Sequence, residues 1–319
     1  MKNPRDVVLV GGFGFVGRNI LDVMLTDDQF DGLNPIVIDD LSNAAPGHET
    51  IDIDAYHGGY QDAGALEFLD GRGAKQGRIF VFLAGETRVA ESKDRPLDFI
   101  KANIEDPSAF VMRAVRPGDH FILISTAGAL FDGTFEVRTT SPFCPKNFYG
   151  ATKAAEEMVL QKLVELRGGL FSVVRMTNVY GAFSDRKHSA IHAFTRAALE
   201  GSQIVINGDG QQSRDFIYAG DVGRAIATQA LRVAHGQAVD AINMIGAGHS
   251  STLMDVVDVI AKTSGAALNC VKTPAVDLIA TEPRDVVANG QDVQVLLGDA
   301  ITPLADGIAQ TFAYYEGRV

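Results

Sequence analysis

The chain has 319 residues, with 28 lysines and arginines against 40 aspartates and glutamates, a formal net charge of −12, and 46% hydrophobic residues. That length suits one large domain or two coupled ones, and the composition excludes a disordered chain, a fibre or a small disulfide scaffold. The acidic balance argues against a nucleic-acid partner, because a phosphate backbone demands a basic surface. An anionic small ligand needs only a local positive pocket.

Cys144 and Cys270 belong to no CxxC pair. Neither a disulfide framework nor a metal site is expected, and a reduced cytoplasmic setting follows. The polar start and the short apolar run 7–10 do not form a secretory signal. No run reaches the ~20 apolar residues of a membrane helix.

In chain order, apolar strands are expected at 7–10, 36–38, 79–83, 121–124 and 171–175. Helices are expected at 16–26, 63–69, 96–115 and 149–166. Alternating strands and helices, with continuously apolar strands, predict an α/β fold: a Rossmann-type doubly wound parallel sheet covered on both faces. Beyond residue 180 loops lengthen and polar residues rise. We expect a dinucleotide-binding domain at 1–180 and a smaller α/β substrate lobe formed mainly by 181–319, with the chain crossing between them more than once.

The first chemistry lies between the first strand and first helix. Gly11, Gly14 and Gly17 form GxxGxxG. Such glycines permit a tight turn and close approach of backbone to a pyrophosphate, which sits at the positive end of the helix opened by Phe15 and Val16. Asp39 ends the second strand about 20 residues further on, where an acid bonds a ribose hydroxyl. A carboxylate there repels a 2′-phosphate, so NAD is favoured over NADP. Arg18 is the countervailing cation, and Asp39-Asp40 could alternatively begin a turn.

Tyr149 and Lys153 form YxxxK, and i and i+4 share one helix face. A lysine ammonium beside a phenol favours the phenolate, so the tyrosine can take a proton from an alcohol as hydride leaves the same carbon. Ser125 and Thr126 close the strand before this helix, at the carboxyl end of the sheet where ligands bind. A turn hydroxyl bonding its own backbone is the alternative.

These elements together resemble the extended short-chain dehydrogenases/reductases, specifically the NAD-dependent nucleotide-sugar epimerase/dehydratase family, almost from end to end. Asp39-Asp40-Leu41-Ser42 is similar to the family's ribose-binding D-N-L-S. Asp62 falls where the family has an acid near the adenine. Leu83-Ala84-Gly85 resembles the strand end beside the cofactor, and Asn103 matches the asparagine of the N-V-x-G-T helix. Asn178, in Arg175-Met176-Thr177-Asn178-Val179-Tyr180-Gly181, is similar to the asparagine that contacts nucleotide-sugar phosphates. The run from Gly208 to Tyr218 resembles G-D-G-x-x-x-R-D-F-I-Y, which implies that Arg214 grips the diphosphate. A guanidinium suits that task because it binds phosphate oxygens bidentately. Arg284 occupies a later segment where a second arginine often sits. The resemblance also implies a homodimer built on helices 96–115 and 149–166.

The chain departs from the family where S-S-[AST]-x-V-Y-G is usual: it reads Ser125-Thr126-Ala127-Gly128-Ala129-Leu130-Phe131. Counting back from Phe131 puts Ala127 at the catalytic hydroxyl position, whereas counting forward from the strand puts Thr126 there, and Thr126 is the expectation. The resemblance implies oxidation of a nucleotide sugar at C4. Family dehydratases carry an Asp-Glu pair after the threonine, where this chain has Ala127 and Gly128, so epimerisation is favoured. A 4-ketoreductase or dehydrogenase is the next reading. A uronate decarboxylase using Arg88 and a non-catalytic dinucleotide-binding regulator are the others.

Overall fold

Val7, Val8, Leu9 and Val10 are each completely buried, as a strand covered on both faces requires. They belong to the centre of a seven-stranded, all-parallel sheet whose strands run in the order 55–57, 33–39, 5–10, 79–82, 120–126, 170–176 and 242–245. The computed structural model describes residues 4–73, 77–133, 136–187, 189–265, 268–274, 285–316 and 318.

In the first half, β1 (Arg5–Val10) leads to α1 (Phe15–Thr26), β2 (Leu33–Asp39), β3 (Ala55–His57), α2 (Ala63–Gly71) and β4 (Ile79–Phe82). Next come α3 (Pro96–Ile100), α4 (Asp106–Ala114), β5 (His120–Thr126), α5 (Phe148–Leu166) and β6 (Leu170–Met176). Period-two side chains divide the core. Val7 and Leu9 pack with Ile20 and Leu21 of α1, whereas Val8 and Val10 pack with Phe80, Phe82, Phe121 and Leu160 on the other face.

The expected helix 96–115 is not one regular helix. Residues Lys101–Glu105 form a π turn between α3 and α4. Pro107 supplies the reason. It has no N–H for the carbonyl of Asn103, and its ring would clash with that carbonyl in a regular helix. The wider turn relieves the clash and turns Asn103 fully into the interior.

Past β7 (Asn178–Tyr180) lie α6 (Ala190–Glu200), β8 (Ile204–Asn207), β9 (Ser213–Arg214) and β10 (Phe216–Tyr218). The chain then returns to the large sheet with α7 (Ala219–Ala234), which packs beside α1, and β11 (Ile242–Ile245), which pairs with β6. It ends with β12 (Ser251–Thr252), α8 (Leu253–Ser264), β13 (Cys270–Thr273), α9 (Gly290–Leu297) and α10 (Leu304–Tyr315). Three two-stranded pairs, β7 with β10, β8 with β13 and β9 with β12, build the second lobe. Helices α6, α8 and α10 share its apolar core. This lobe brings Asn178 and Arg214 into one cavity wall with Thr126, the last residue of β5. Cys144 and Cys270 are free thiols. Among the described residues, no helix is long and apolar enough to cross a membrane.

Candidate active site

The glycine turn follows β1, between β2 on one side and β4 on the other, at the point where the strand order reverses. In an open α/β sheet that switch point is where a ligand binds. Gly11 has φ +81°, and a Cβ there would lie 3.1 Å from the Ala84 nitrogen at the end of β4. Gly17 packs so closely on the turn that a Cβ would meet the Gly12 carbonyl at 2.4 Å. Gly14 caps α1 without any side-chain hydrogen bond. The opening N–H groups of Phe15 and Val16 are therefore presented at a positive helix end, ready for phosphate oxygens. Beside them the Arg18 guanidinium lies 4.6 Å over the Phe183 ring, and its Nε is buried without a hydrogen-bond partner.

Asp39 is buried at the end of β2. Its two oxygens accept from the Phe13 and Leu41 amides, each at 2.8 Å. Burial raises its pKa above the ordinary carboxylate value, and these two amides work against the rise. Asp40 is used differently: its Oδ1 accepts from both the amide and the hydroxyl of Ser42, closing a local turn. Asp62 is exposed at the start of α2 and accepts from the Gly59 amide. Leu83 continues the pairing of β4 with β1 by donating to the Val10 carbonyl, and Gly85 follows Ala84 with φ +141°. These residues fit a dinucleotide: a cradle that a Cβ would fill, an uncapped helix end, an unpaired buried cation atom and a carboxylate at the ribose position.

Helix α5 is fixed by its cap. Asn147 accepts from the Gly150 amide and starts α5. Tyr149 and Lys153 are both buried on its inner face. The Thr126 hydroxyl, at the end of β5, shares one cavity wall with Tyr149 and lowers the pKa of its phenol. Ala127 is instead completely buried among Leu130 and Phe131. Thr126 is thus the hydroxyl that meets the tyrosine.

Lys153 donates to the Ile124 carbonyl at 3.1 Å and forms an ion pair with Glu156. Burial alone would favour the neutral amine, but Glu156, Tyr149 and Glu157 outweigh it and hold the ammonium form. For Tyr149, burial raises the pKa, Lys153 lowers it, Glu156 raises it and the Thr126 hydroxyl lowers it, with a net rise.

A cavity of about 130 Å³ opens above this group, with Thr126, Gly128, Tyr149, Asn178 and Arg214 in its wall. Asn178 donates through Nδ2 to the Asp215 carbonyl, and Arg214 donates to the Ser213 carbonyl at 2.8 Å. Arg284 lies outside the described residues. A larger groove of about 410 Å³ is bordered by Thr139, Asp240 and Asp292. It contains neither tyrosine nor lysine, and its carboxylates would repel a diphosphate, so size does not make it the site.

Two of the expected cofactor residues serve as supports. Asn103 is fully buried; its amide accepts from the Glu86 N–H at 2.8 Å and donates to the Glu86 carbonyl and to Thr152. It ties the loop after β4 to α5. Ser125 donates to Glu157, whose carboxylate is bound by Arg175 at 2.7 Å. The sequence reading did not identify this buried pair or Glu156. The signal was weak, since charged residues such as Glu156 and Glu157 on a long helix are normally solvated, and so is an arginine.

The fold and this tyrosine–lysine site define a Rossmann-type protein of the extended short-chain dehydrogenase/reductase kind. The sequence model of the NAD dependent epimerase/dehydratase family matches residues 7–244, and the chain belongs to that family. It is 26% identical to the UDP-glucose 4-epimerase of Azospirillum brasilense, over 93% of this chain and 87% of that one. It is 27% identical to the dTDP-glucose 4,6-dehydratase of Streptomyces niveus, over 83% of this chain and 80% of that one. The crystal structure of Thermotoga maritima UDP-glucose 4-epimerase with UDP-glucose superposes with a TM-score of 0.84 at 25% identity, covering 98% of this chain and 99% of that one.

Proposed function

We propose that this chain is an NAD-dependent epimerase that acts at C4 of a nucleotide-diphosphate sugar. One observation carries the choice over dehydration. Among the described residues that line the cavity, only Tyr149 can serve as a general acid–base group, and the neighbouring wall is Ala129 and Gly128. Removing water from a sugar needs a second acid–base group; reversible oxidation at one carbon does not. The similarity to both epimerases and a dehydratase leaves that decision to these side chains.

When bound, NAD supplies an acceptor that takes hydride from C4 and returns it to the opposite face of the keto-sugar. Tyr149 moves the proton of the C4 hydroxyl, Thr126 holds the reacting oxygen, and Lys153 stabilises the phenolate. Gly11, Gly14, Gly17, Phe15 and Val16 hold the pyrophosphate; Asp39 holds the ribose. Arg214 and Asn178 take the diphosphate of the sugar nucleotide. Leu97, Met112, Met158 and Leu166 are exposed apolar side chains on α3, α4 and α5, which supports a homodimer formed through these helices.

The deciding experiment is NMR of UDP-, dTDP-, GDP- and CDP-sugars incubated with the purified protein. A C4 epimer formed without consumption of NAD supports the reading and names the sugar. No epimer, but oxidation or reduction that consumes external cofactor, makes the protein a dehydrogenase or ketoreductase instead.

Two substitutions separate the subsites. Asp39→Asn keeps the size of the side chain but removes the charge that bonds the ribose. A hydrogen bond to a charged group is worth about 1.5–3 kcal/mol, so NAD affinity should fall roughly 10- to 100-fold and the preference for NAD over NADP should shrink. An unchanged ratio of the two dissociation constants removes Asp39 from the ribose role. Arg214→Ala should raise KM for the nucleotide sugar about tenfold or more, because a charge-assisted phosphate contact is lost, and leave NAD affinity unaltered. If KM is unmoved, the diphosphate binds elsewhere.

A further inference from the structure

Glu156 is completely buried, and the geometry assigns neither of its oxygens a regular hydrogen bond. Its charged neighbour is the Lys153 ammonium one helical turn earlier, itself 6% exposed. A buried carboxylate persists only where something compensates it. Glu157, the next residue, is already committed to Arg175 on β6 and to Ser125 on β5. The remaining groups facing this cluster are Tyr149 on α5 and Tyr60 before α2, which also feels Glu156 and Asp106. Lys153 therefore faces two groups of opposite effect: the phenol whose ionisation it favours, and a carboxylate that offsets its charge.

We propose that Glu156 is a positioning residue that, through its buried ion pair, orients the Lys153 ammonium and offsets its charge at the Tyr149 phenol. The inference rests on the reading of Tyr149 and Lys153 as the proton-transfer pair, but its test needs no turnover. Burial raises the Glu156 carboxyl to about 7 in spite of Lys153. Below that pH the carboxylic acid is neutral and the lysine charge acts on the phenol unopposed. Above it the carboxylate is ionised, and it stays so through the higher range in which Tyr149 loses its proton, since burial pushes the phenol above the ordinary tyrosine value. Arg175 does not take over this task, since it is engaged with Glu157.

The test follows the Tyr149 ¹³Cζ resonance with pH in the free protein, assigned by its loss in Tyr149→Phe. Removing one like charge near an acid shifts it by about 1 unit or more. Glu156→Gln should therefore lower the Tyr149 pKa by about that amount, a roughly tenfold rise in phenolate below it, and Glu156→Asp should keep the wild-type value. A folded Glu156→Gln protein with an unchanged Tyr149 pKa overturns the proposal. The wild type gives a second readout that does not depend on folding of the variant: the resonance should carry a small inflection near pH 7 as Glu156 ionises. A featureless curve there also overturns it. Both readouts are independent of whether the protein epimerises any sugar, so failure of one reading does not imply failure of the other.

Discussion

Replacing Tyr149 with phenylalanine should lower turnover of the nucleotide sugar about 10²- to 10⁴-fold, the range contributed by one general acid–base group. The change is nearly isosteric. Tyr149 packs edge-on against Phe99 on α3, a contact that phenylalanine retains. Its hydroxyl is the atom that meets Thr126, so the variant loses the proton carrier and little else. NAD affinity, measured by calorimetry or cofactor fluorescence, should change by less than the loss in kcat. Retained turnover in Tyr149→Phe would take the proton transfer away from this residue. The pH dependence should follow the same atom. Because burial and Glu156 raise its pKa, activity in the wild type should rise with pH through and above neutrality as the phenolate form grows.

The second large effect concerns stability. Arg175 on β6 is 2% exposed and binds Glu157 through both Nε and Nη2. It also donates to the Thr139 carbonyl and lies 5.0 Å over the Phe143 ring. Breaking a buried pair by removing one partner costs about 3–5 kcal/mol, because the other charge is left uncompensated. Arg175→Met should therefore lower the free energy of urea unfolding by about that amount. The double variant Arg175→Met, Glu157→Leu should recover part of the loss, since replacing both charges with apolar groups leaves no uncompensated buried charge. Equal destabilisation in single and double variants would mean that packing rather than charge decides the cost. Glu157 also receives the Ser125 hydroxyl. The same pair therefore fixes the end of β5, and with it Thr126, against the helix that carries Tyr149.

These contacts explain why some of the site was legible in the sequence and some was not. The glycine turn, Asp39 and the tyrosine–lysine spacing are local. Each depends on a strand end or a helix repeat, and their geometry follows from a few consecutive residues. The five expected strands also follow from local apolar runs, as in the fully buried Ile79–Phe82, although β1 and β2 begin earlier than the runs at 7–10 and 36–38. Asn103 is the opposite case. Its side chain reaches Glu86 and Thr152, residues far from it in the chain, and it arrives there through a π turn forced by Pro107. Apolar periodicity cannot register that turn.

The same division separates Thr126 from Ala127. Their order along the chain allows two alignments with the catalytic position, and only the packing of Ala127 beneath Leu130 and Phe131 leaves Thr126 facing the phenol. The return of α7 and β11 to the large sheet is likewise decided by long-range pairing, with Ile242–Ile245 beside Val173–Met176. By itself the sequence determined the doubly wound fold, the cofactor class and the tyrosine–lysine pair, because strand burial, glycine conformation and helix spacing act over short distances. The tertiary structure alone decided which carboxylate compensates Lys153 and which supports Thr126. Charge compensation in a low-dielectric interior depends on neighbours that the chain brings together only after it has folded.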